Sequence, residues 1–236
     1  MPLPTQYPAF ITYAPDQATE DAIRAANPAP NGLIIVRTDL TPVNPPPPPP
    51  TNAVTVLDLI FTGAAVTDAT GKPITSSGVV VANGKADMSN GYMTTPDHVD
   101  LNFGTGNFRI TMDVELSVLS GGTHQFLMSK GVASNLNSAW YLMYEALNPN
   151  AGHLYWVTAN NAVVIDVANS ITNSALHRIE LVKTNGVTTL LIDGVVKGTT
   201  STSPVDTAGL LYIGKWNYQA GYAMKGLLSK CTITKG

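Results

Sequence analysis

Two acidic residues on one predicted strand are the first candidates for chemistry in this sequence. Asp113 and Glu115 are two residues apart in a segment of alternating apolar residues, so in a β-strand their carboxylates lie on the same face. Glycoside hydrolysis requires two carboxylates about 5 to 9.5 Å apart across the sugar bond. Arg109 and Thr111 share that face, which favours a polar strand face in contact with water. We therefore prefer the interpretation that this protein has no enzymatic activity. A carbohydrate-active glycoside hydrolase is the alternative.

The other residue types used in catalysis are scattered along the chain. The single cysteine, Cys231, lies in a short strand pattern without a neighbouring histidine, which predicts a buried apolar residue and not a nucleophile. No histidine forms a closely spaced pair of the kind found in zinc sites. The four histidines are more than twenty residues apart: His98, His124, His153 and His177.

Aromatic residues give a stronger argument for binding than these residues give for catalysis. Sugars are held by aromatic faces and planar polar groups. One group of aromatic residues lies on two predicted strands around the loop 146–152, and alternation along the strands sends about half of these rings into the core. The other group lies in the loop 216–222, where exposure is expected because loops run over the surface. Ligand contacts and simple packing both remain open for these rings. The candidate ligand-binding residues are Trp216, Asn217, Tyr218, Tyr222, Trp140 and Trp156.

Composition excludes several classes of partner. Only 12% of the 236 residues are charged, the net charge is −3 and the 13 basic residues are scattered, so we expect no nucleic-acid binding. No apolar run reaches the roughly 18 residues that a membrane-spanning helix needs, so we expect no membrane insertion. The first ten residues lack the basic and apolar regions of a signal peptide, which predicts synthesis in the cytoplasm.

The chain divides into three parts. Residues 1–50 hold 13 of the 17 prolines, and 45–50 are six consecutive prolines, which form a stiff polyproline II rod. We predict an extended, proline-rich attachment arm over residues 1–44, a polyproline linker over 45–53 and a globular domain over 54–236. Within the arm, residues 16–26 are a candidate helix and 33–37 a candidate strand. So small an arm cannot bury a core of its own, which favours attachment to a partner.

The third part is predicted to be all-β. About a dozen short strands are separated by turn signals; the clearest strand covers residues 107–118. Asn185-Gly186 and Asp193-Gly194 predict two tight hairpins within one meander. A two-residue loop at the first of these places Leu181 opposite Leu190 and Ile179 opposite Ile192. We therefore predict a two-sheet antiparallel jelly-roll sandwich.

Several stretches resemble one family, in the family's order and over residues 54–235. They are GYMTTPD (91–97), LNFGTGNFRI (101–110), HRIELVK (177–183), LIDG (191–194) and LYIG (211–214) with Gly226. These are similar to motifs of the laminin-G-like and concanavalin A-like jelly rolls. The resemblance implies the same sandwich fold. In this family, calcium sites use loop acids, so Asp58, Asp68 and Asp100 are the implied calcium candidates; no other cofactor is expected.

Domains of this kind with short N-terminal arms resemble modules of tailed-bacteriophage virion proteins, which serve in decoration, fibres or adhesion. We therefore expect a non-enzymatic virion protein that docks through residues 1–50 onto other virion structural proteins. Its jelly roll would decorate the particle or attach it to glycans of the host surface. Several copies, or a homo-oligomer, are expected on one particle. Besides the glycoside hydrolase, a purely structural cement module without a ligand is an alternative.

Overall fold

The computed structural model describes residues 11–14, 34–37, 52–131, 140–158, 162–172, 174–216 and 221–236. The chain forms two compact units, 1–44 and 45–236. In the first unit, β1 (Ile11–Ala14) pairs in parallel with β2 (Ile34–Arg37), which falls within the predicted strand 33–37. The predicted helix over 16–26 and the prolines at 45–50 lie outside the described residues.

The second unit contains strands connected by short turns. Its one described helix is a single 3-10 turn (Val99–Leu101), and no helix of the described residues is long and apolar enough to cross a bilayer. The described strands are β3 (Val54–Thr62), β4 (Ala65–Asp68), β5 (Thr75–Ser77), β6 (Val80–Ala82), β7 (Lys85–Asp87), β8 (Tyr92–Thr95), β9 (Phe108–Leu116), β10 (His124–Lys130), β11 (Trp140–Glu145), β12 (Leu154–Thr158), β13 (Ala162–Val167), β14 (His177–Thr184), β15 (Val187–Ile192), β16 (Val195–Thr200), β17 (Leu211–Ile213) and β18 (Gly226–Lys235).

These strands form two antiparallel sheets. The large sheet has the order β16-β15-β14-β9-β18-β3-β4, with β7 also paired to β18 and β6 paired to β7. The small sheet has the order β13-β12-β11-β10-β17-β8-β5. Strands far apart in sequence are neighbours in both sheets, as in jelly rolls. The predicted all-β, two-sheet antiparallel sandwich is therefore confirmed.

The core lies between the two sheets, where their strands bury apolar side chains on the faces that the sheets turn toward each other. Along β9, the alternate residues Phe108, Ile110, Met112, Val114 and Leu116 are all buried. Apolar residues of the small sheet join them in one cluster, together with Cys231 of β18. Cys231 is fully buried, which raises the pKa of its thiol and keeps it protonated. The prediction of a buried apolar cysteine is confirmed.

The predicted meander of β14, β15 and β16 is present in the predicted register. Leu181 is opposite Leu190 and Ile179 is opposite Ile192. The turn residues Asn185 and Gly186 have φ of 52° and 82°, the positive values that a type I′ turn requires. A two-residue turn leaves no freedom in the register, so the local sequence is sufficient to determine which side chains enter the core.

A buried lysine joins two loops at one end of the sandwich. Lys130, at the end of β10, is fully buried. Its Nζ donates hydrogen bonds to Asp97 Oδ1 at 2.7 Å, Asn102 Oδ1 at 2.9 Å and the Thr207 carbonyl oxygen at 2.5 Å. The ammonium group is thus satisfied by three acceptors and links two segments about a hundred residues apart in sequence.

Replacing Lys130 by Met is expected to lower the free energy of unfolding by about 1–3 kcal/mol, because the variant leaves the carbonyl of the buried Thr207 without this donor and removes the link to Asp97 and Asn102, while largely keeping the side-chain volume. Urea unfolding followed by circular dichroism measures the change as a lower midpoint at a constant m value. Lys197→Met is the matched control, since Lys197 is exposed on β16. Equal midpoints for the two variants would contradict this role of Lys130.

Candidate functional site

An apolar and aromatic cluster lies on the outward face of the small sheet, separate from the core. Side chains directly opposite each other on paired strands share one face of the sheet. Met143 is opposite Tyr155, and Tyr141 is opposite Val157, while their chain neighbours point into the core. We call this cluster the aromatic face; it consists of Phe126, Tyr141, Met143, Tyr155 and Val157, with Trp216 and Tyr222 packed against them.

A β-bulge in β10 brings Phe126 to the aromatic face. The pairing with β11 shifts between Phe126 and Met128, so that Leu127 is the extra residue. Leu127 and Met128 both belong to the core, whereas Phe126 lies opposite Met143 on the outward side. A bulge reverses the alternation of sides along a strand, so strict alternation does not hold beyond this point.

Residues 216 and 222, on either side of 217–220, pack against the aromatic face. The Trp216 amide donates to the Tyr222 carbonyl at 3.2 Å, and the Met224 amide donates to the Gly214 carbonyl at 2.8 Å. The Trp216 ring stacks on Phe126 with centroids 4.9 Å apart and planes 5° apart. Trp216 and Tyr222 are half-buried, so each residue is partly accessible to solvent. Trp216 and Tyr222 therefore place two aromatic rings on an apolar base.

Two histidine–acid pairs border the aromatic face. His124 Nδ1 lies 2.6 Å from Glu145 Oε2, and His153 Nδ1 lies 2.6 Å from Asp166 Oδ1. An ionised carboxylate has no proton to give, so in each pair the ring nitrogen donates. Burial raises the pKa of Tyr155, and the charges of Asp166 and Glu145 raise it further. Its phenol stays protonated at neutral pH and is available as a hydrogen-bond donor.

The structure separates the six residues predicted to bind a ligand. Trp216 and Tyr222 lie together on the aromatic face, with ring centroids 5.7 Å apart. Asn217 and Tyr218 lie outside the described residues. Trp140 and Trp156 are 1% and 0% exposed and pack against each other in the core, so the interpretation of these two as ligand contacts is corrected: no part of either indole reaches the surface.

Sequence reasoning did not select some members of the aromatic face. Tyr141 and Tyr155 were recognisable as aromatic residues on strands, and the alternation between the buried indoles and their neighbours was the signal that they point outward. Phe126 gave no such signal, because the bulge that turns it outward is not encoded by any Gly, Pro or Asn in β10.

The two acids considered for glycoside hydrolysis are each engaged in an ion pair. Asp113 accepts two hydrogen bonds from Arg178, at 2.7 Å from Nε and 2.8 Å from Nη2. Glu115 pairs with Lys85 on the opposite side of β9. Each carboxylate is thus held by a cation: Arg178 lies on β14, which pairs with β9, and Lys85 lies on β7, which pairs with β18. This arrangement suits a charged sheet face better than two carboxylates facing one sugar bond.

The three calcium candidates have other hydrogen-bond partners. The Asp68 carboxylate accepts from the amides of Asp58 at 2.7 Å, Thr70 at 3.2 Å and Lys72 at 2.9 Å. Burial alone would raise the pKa of Asp68, but its hydrogen bonds from Thr70, Asp58 and Lys72 outweigh burial and lower it. Asp100 lies 3.6 Å from the Lys72 ammonium.

Asp58 Oδ1 accepts a hydrogen bond from the Thr232 hydroxyl at 3.1 Å, so each of the three candidate carboxylates already has a hydrogen-bond or ionic partner. Within the described ranges, no three His, Cys, Asp or Glu side chains are grouped as metal ligands. The residues present therefore do not form a ready calcium site, and calcium binding through Asp58, Asp68 and Asp100 stays a prediction.

Sequence comparisons reach only part of the chain. A model of the Lactococcin-like family matches residues 105–159, which is less than half of the chain and does not establish membership. The matched segment includes β9, β10, β11 and β12, and so takes strands from both sheets. A search of curated proteins by sequence gave no match.

Several solved structures share this fold. The binding domain of botulinum neurotoxin DC in complex with SialylT has a TM-score of 0.58 and 10% identity, covering 76% of this chain and 47% of that one. The same domain with rat synaptotagmin II has a TM-score of 0.59 and 11% identity, covering 76% of this chain and 48% of that one. The binding domain of Paraclostridial Mosquitocidal Protein 1 has a TM-score of 0.58 and 15% identity, covering 76% of this chain and 48% of that one.

The likeness to these structures is a likeness of fold. This chain spans about half the length of the structures it matches. At 10–15% identity, the comparison shows an all-β sandwich fold over 76% of the chain and leaves the function to be argued from the chain's own residues.

Proposed function

We propose that this chain is a non-enzymatic binding module that recognises carbohydrate through the aromatic face. The observation that carries the proposal is the stacking of Trp216 on Phe126, which holds two half-buried rings, Trp216 and Tyr222, on the outside of the small sheet. Rings held in this way lose little conformational entropy when a sugar stacks on them.

The border of the aromatic face supplies the polar contacts that a sugar needs. A pyranose presents an apolar face to an aromatic ring and its hydroxyl groups to the side. His124 and His153 are oriented by Glu145 and Asp166, and the Tyr155 phenol lies near both acids. These groups can exchange hydrogen bonds with sugar hydroxyls without moving. The hydrogen bonds would fix the orientation of a sugar that stacking alone leaves undefined.

The similar structures support a binding role. They are described as binding domains, two of them in complex with SialylT and with rat synaptotagmin II, and a further one belongs to a neurotoxin whose cell entry depends on two ganglioside molecules. A sandwich of this fold therefore occurs in proteins that attach to cell surfaces. Since the chain matches only about half of those structures, their ligands support the role and do not locate a site here.

We further propose that the module acts on a virion, where residues 1–50 dock onto other structural proteins. The resemblance to laminin-G-like domains of tailed-bacteriophage proteins and the six-proline rod support this setting. Many copies on one particle would convert weak single-site binding into strong attachment.

Deleting residues 1–50 should abolish incorporation into particles and leave glycan binding by the sandwich intact; loss of glycan binding alone would contradict this division of roles.

Replacing Trp216 by Ala is expected to weaken glycan binding by about tenfold or more, because a central aromatic anchor is lost from the contact surface. A glycan array identifies the bound sugars, and titration calorimetry with the best of them measures the affinity. Leu176→Ala is the control, since Leu176 is 53% exposed and lies next to the large sheet.

Three other outcomes have defined meanings. Cleavage of a bound glycan by the unaltered protein would favour the glycoside hydrolase. Incorporation into particles without binding to any glycan would favour the structural cement module. Equal affinities of the Trp216→Ala variant and the unaltered protein would move the binding site away from the aromatic face.

A further inference from the structure

We propose that Tyr92, Tyr212 and Lys215 form a second contact point on the same face of the small sheet, one that binds an anionic group, carboxylate or sulfate, of a linear acidic oligosaccharide. This inference rests on the proposed carbohydrate function and adds the class of sugar. Its three residues were not among the candidates from the sequence, and they lie beyond the aromatic face on β8, on β17 and just after β17.

The strand register places these residues on the outward side. Tyr141 of the aromatic face is opposite Ser129, Ser129 is opposite Tyr212, and Tyr212 is opposite Thr94. Residues opposite each other share a face, and Tyr92 shares the face of Thr94 because it is two residues away on the same strand. The row of outward residues thus runs without interruption from the aromatic face to Tyr92.

The three side chains form a compact group of aromatic rings and one cation. The rings of Tyr92 and Tyr212 have centroids 6.3 Å apart, and the Lys215 Nζ lies 4.2 Å from the centroid of the Tyr92 ring. All three residues are half-buried. The Ser129 hydroxyl donates to the Lys215 carbonyl at 3.0 Å, which fixes the backbone from which the lysine projects. The ammonium is therefore held over a ring by a residue that is itself partly exposed.

The charge of Lys215 is not neutralised by an ion pair with another described residue. By contrast, Lys72, Lys85 and Lys130 each have a carboxylate within 4.0 Å. A cation positioned by an aromatic ring and lacking a carboxylate partner attracts an anion, and hydrogen bonds to charged groups are stronger than those between neutral groups. Burial and the neighbouring Tyr92 raise the pKa of Tyr212, so its phenol remains a donor.

The length of the row indicates an oligosaccharide and not a single sugar. From Tyr155 on β12 to Tyr92 on β8 the sheet crosses four strand spacings, or about 19 Å at ~4.8 Å each. The end of the row at Tyr155 carries the acidic residues Glu145 and Asp166. The end at Tyr92 carries the basic residue Lys215. A glycan that carries its acidic group on the Lys215 side is therefore complementary to the surface, and the reverse orientation is not.

The experiment compares matched glycans on the full-length chain. An array presents each oligosaccharide backbone in a neutral, a uronic-acid and a sulfated form at 0.15 M salt. We expect at least one acidic form to bind about tenfold more tightly than its neutral match, an advantage that Lys215→Met removes while neutral binding persists. Lys215→Arg should restore the preference, because a guanidinium also stacks on tyrosine. Lys197→Met is the control and should retain the preference of the unaltered chain.

The failures of the two proposals are distinguishable. Equal binding of acidic and neutral forms, or an acidic preference that survives Lys215→Met, overturns the anionic contact point and leaves the carbohydrate function standing. Absence of binding to every glycan on the array overturns both. Whether the uronic-acid or the sulfated form keeps the advantage identifies the source of the negative charge, and either result supports the proposal.

Discussion

Replacing Trp156 by Ala is expected to lower the free energy of unfolding by about 3–5 kcal/mol, the usual cost of deleting a large aromatic side chain from a core. Trp156 is fully buried, and its ring lies 5.4 Å from that of Trp140 between the two sheets. The variant leaves a cavity that the neighbouring strands cannot fill, since both sheets are fixed by their own hydrogen bonds. Urea unfolding at pH 7 measures the loss as a shift of the midpoint.

The matched comparison is Trp216→Ala, which removes the same side chain from the outward side. Trp216 is half-buried and packs on a loop, so we expect a smaller loss of stability and a larger loss of glycan binding. The two variants thus separate an indole of the core from one that we propose to bind glycan. Equal losses of stability would show that the aromatic face contributes to folding as much as the core does, and would weaken the case for a binding surface.

The second large effect is expected for Gly226→Ala, at about 3 kcal/mol or more. A Cβ at position 226 would lie 1.9 Å from the Glu115 carbonyl oxygen and 3.0 Å from its carbonyl carbon. Gly226 has φ of 142° and is opposite Leu116, where β18 begins its pairing with β9. Backbone atoms cannot move aside as a flexible side chain can, so the clash must open the pairing of two central strands.

Gly221→Ala is the control for this prediction. Apart from Gly221 and its chain neighbours, no heavy atom of the described residues lies within 4 Å of a Cβ built at this position, so its replacement should change the free energy of unfolding by less than about 0.5 kcal/mol. Thermal unfolding of both variants, compared with the unaltered chain, measures the two effects in one series. A Gly226→Ala variant as stable as Gly221→Ala would contradict the close approach of β9 and β18.

Features of the fold that depend on neighbouring residues were predictable from the sequence. Asn185-Gly186 adopts positive φ at little cost, and this fixes the register of β14 against β15 within a few residues. The alternation along β9 predicts which side is buried, because an antiparallel strand with one side in the core has a period of two. The sandwich follows, because sheets built from such strands must pack their apolar faces against each other.

The candidate site was only partly predictable. The loop position of Trp216 and Tyr222 indicated rings near the surface, and the structure places both on the aromatic face. Strand position alone could not decide between core and surface for Trp140 and Trp156, since that depends on which side of the small sheet faces the large one. The structure places both indoles in the core.

By itself, the sequence determined the turns, the strands and the all-β class, because these follow from backbone preferences and alternation over a few residues. The tertiary structure alone decided which side chains lie together on the outward faces of the two sheets. A bulge turned Phe126 outward, Arg178 reached Asp113 from 65 positions away, and Lys215 came to lie over Tyr92. Contacts of this kind depend on which strands become neighbours, and that choice is made by the packing of the whole sandwich and by no single segment of it.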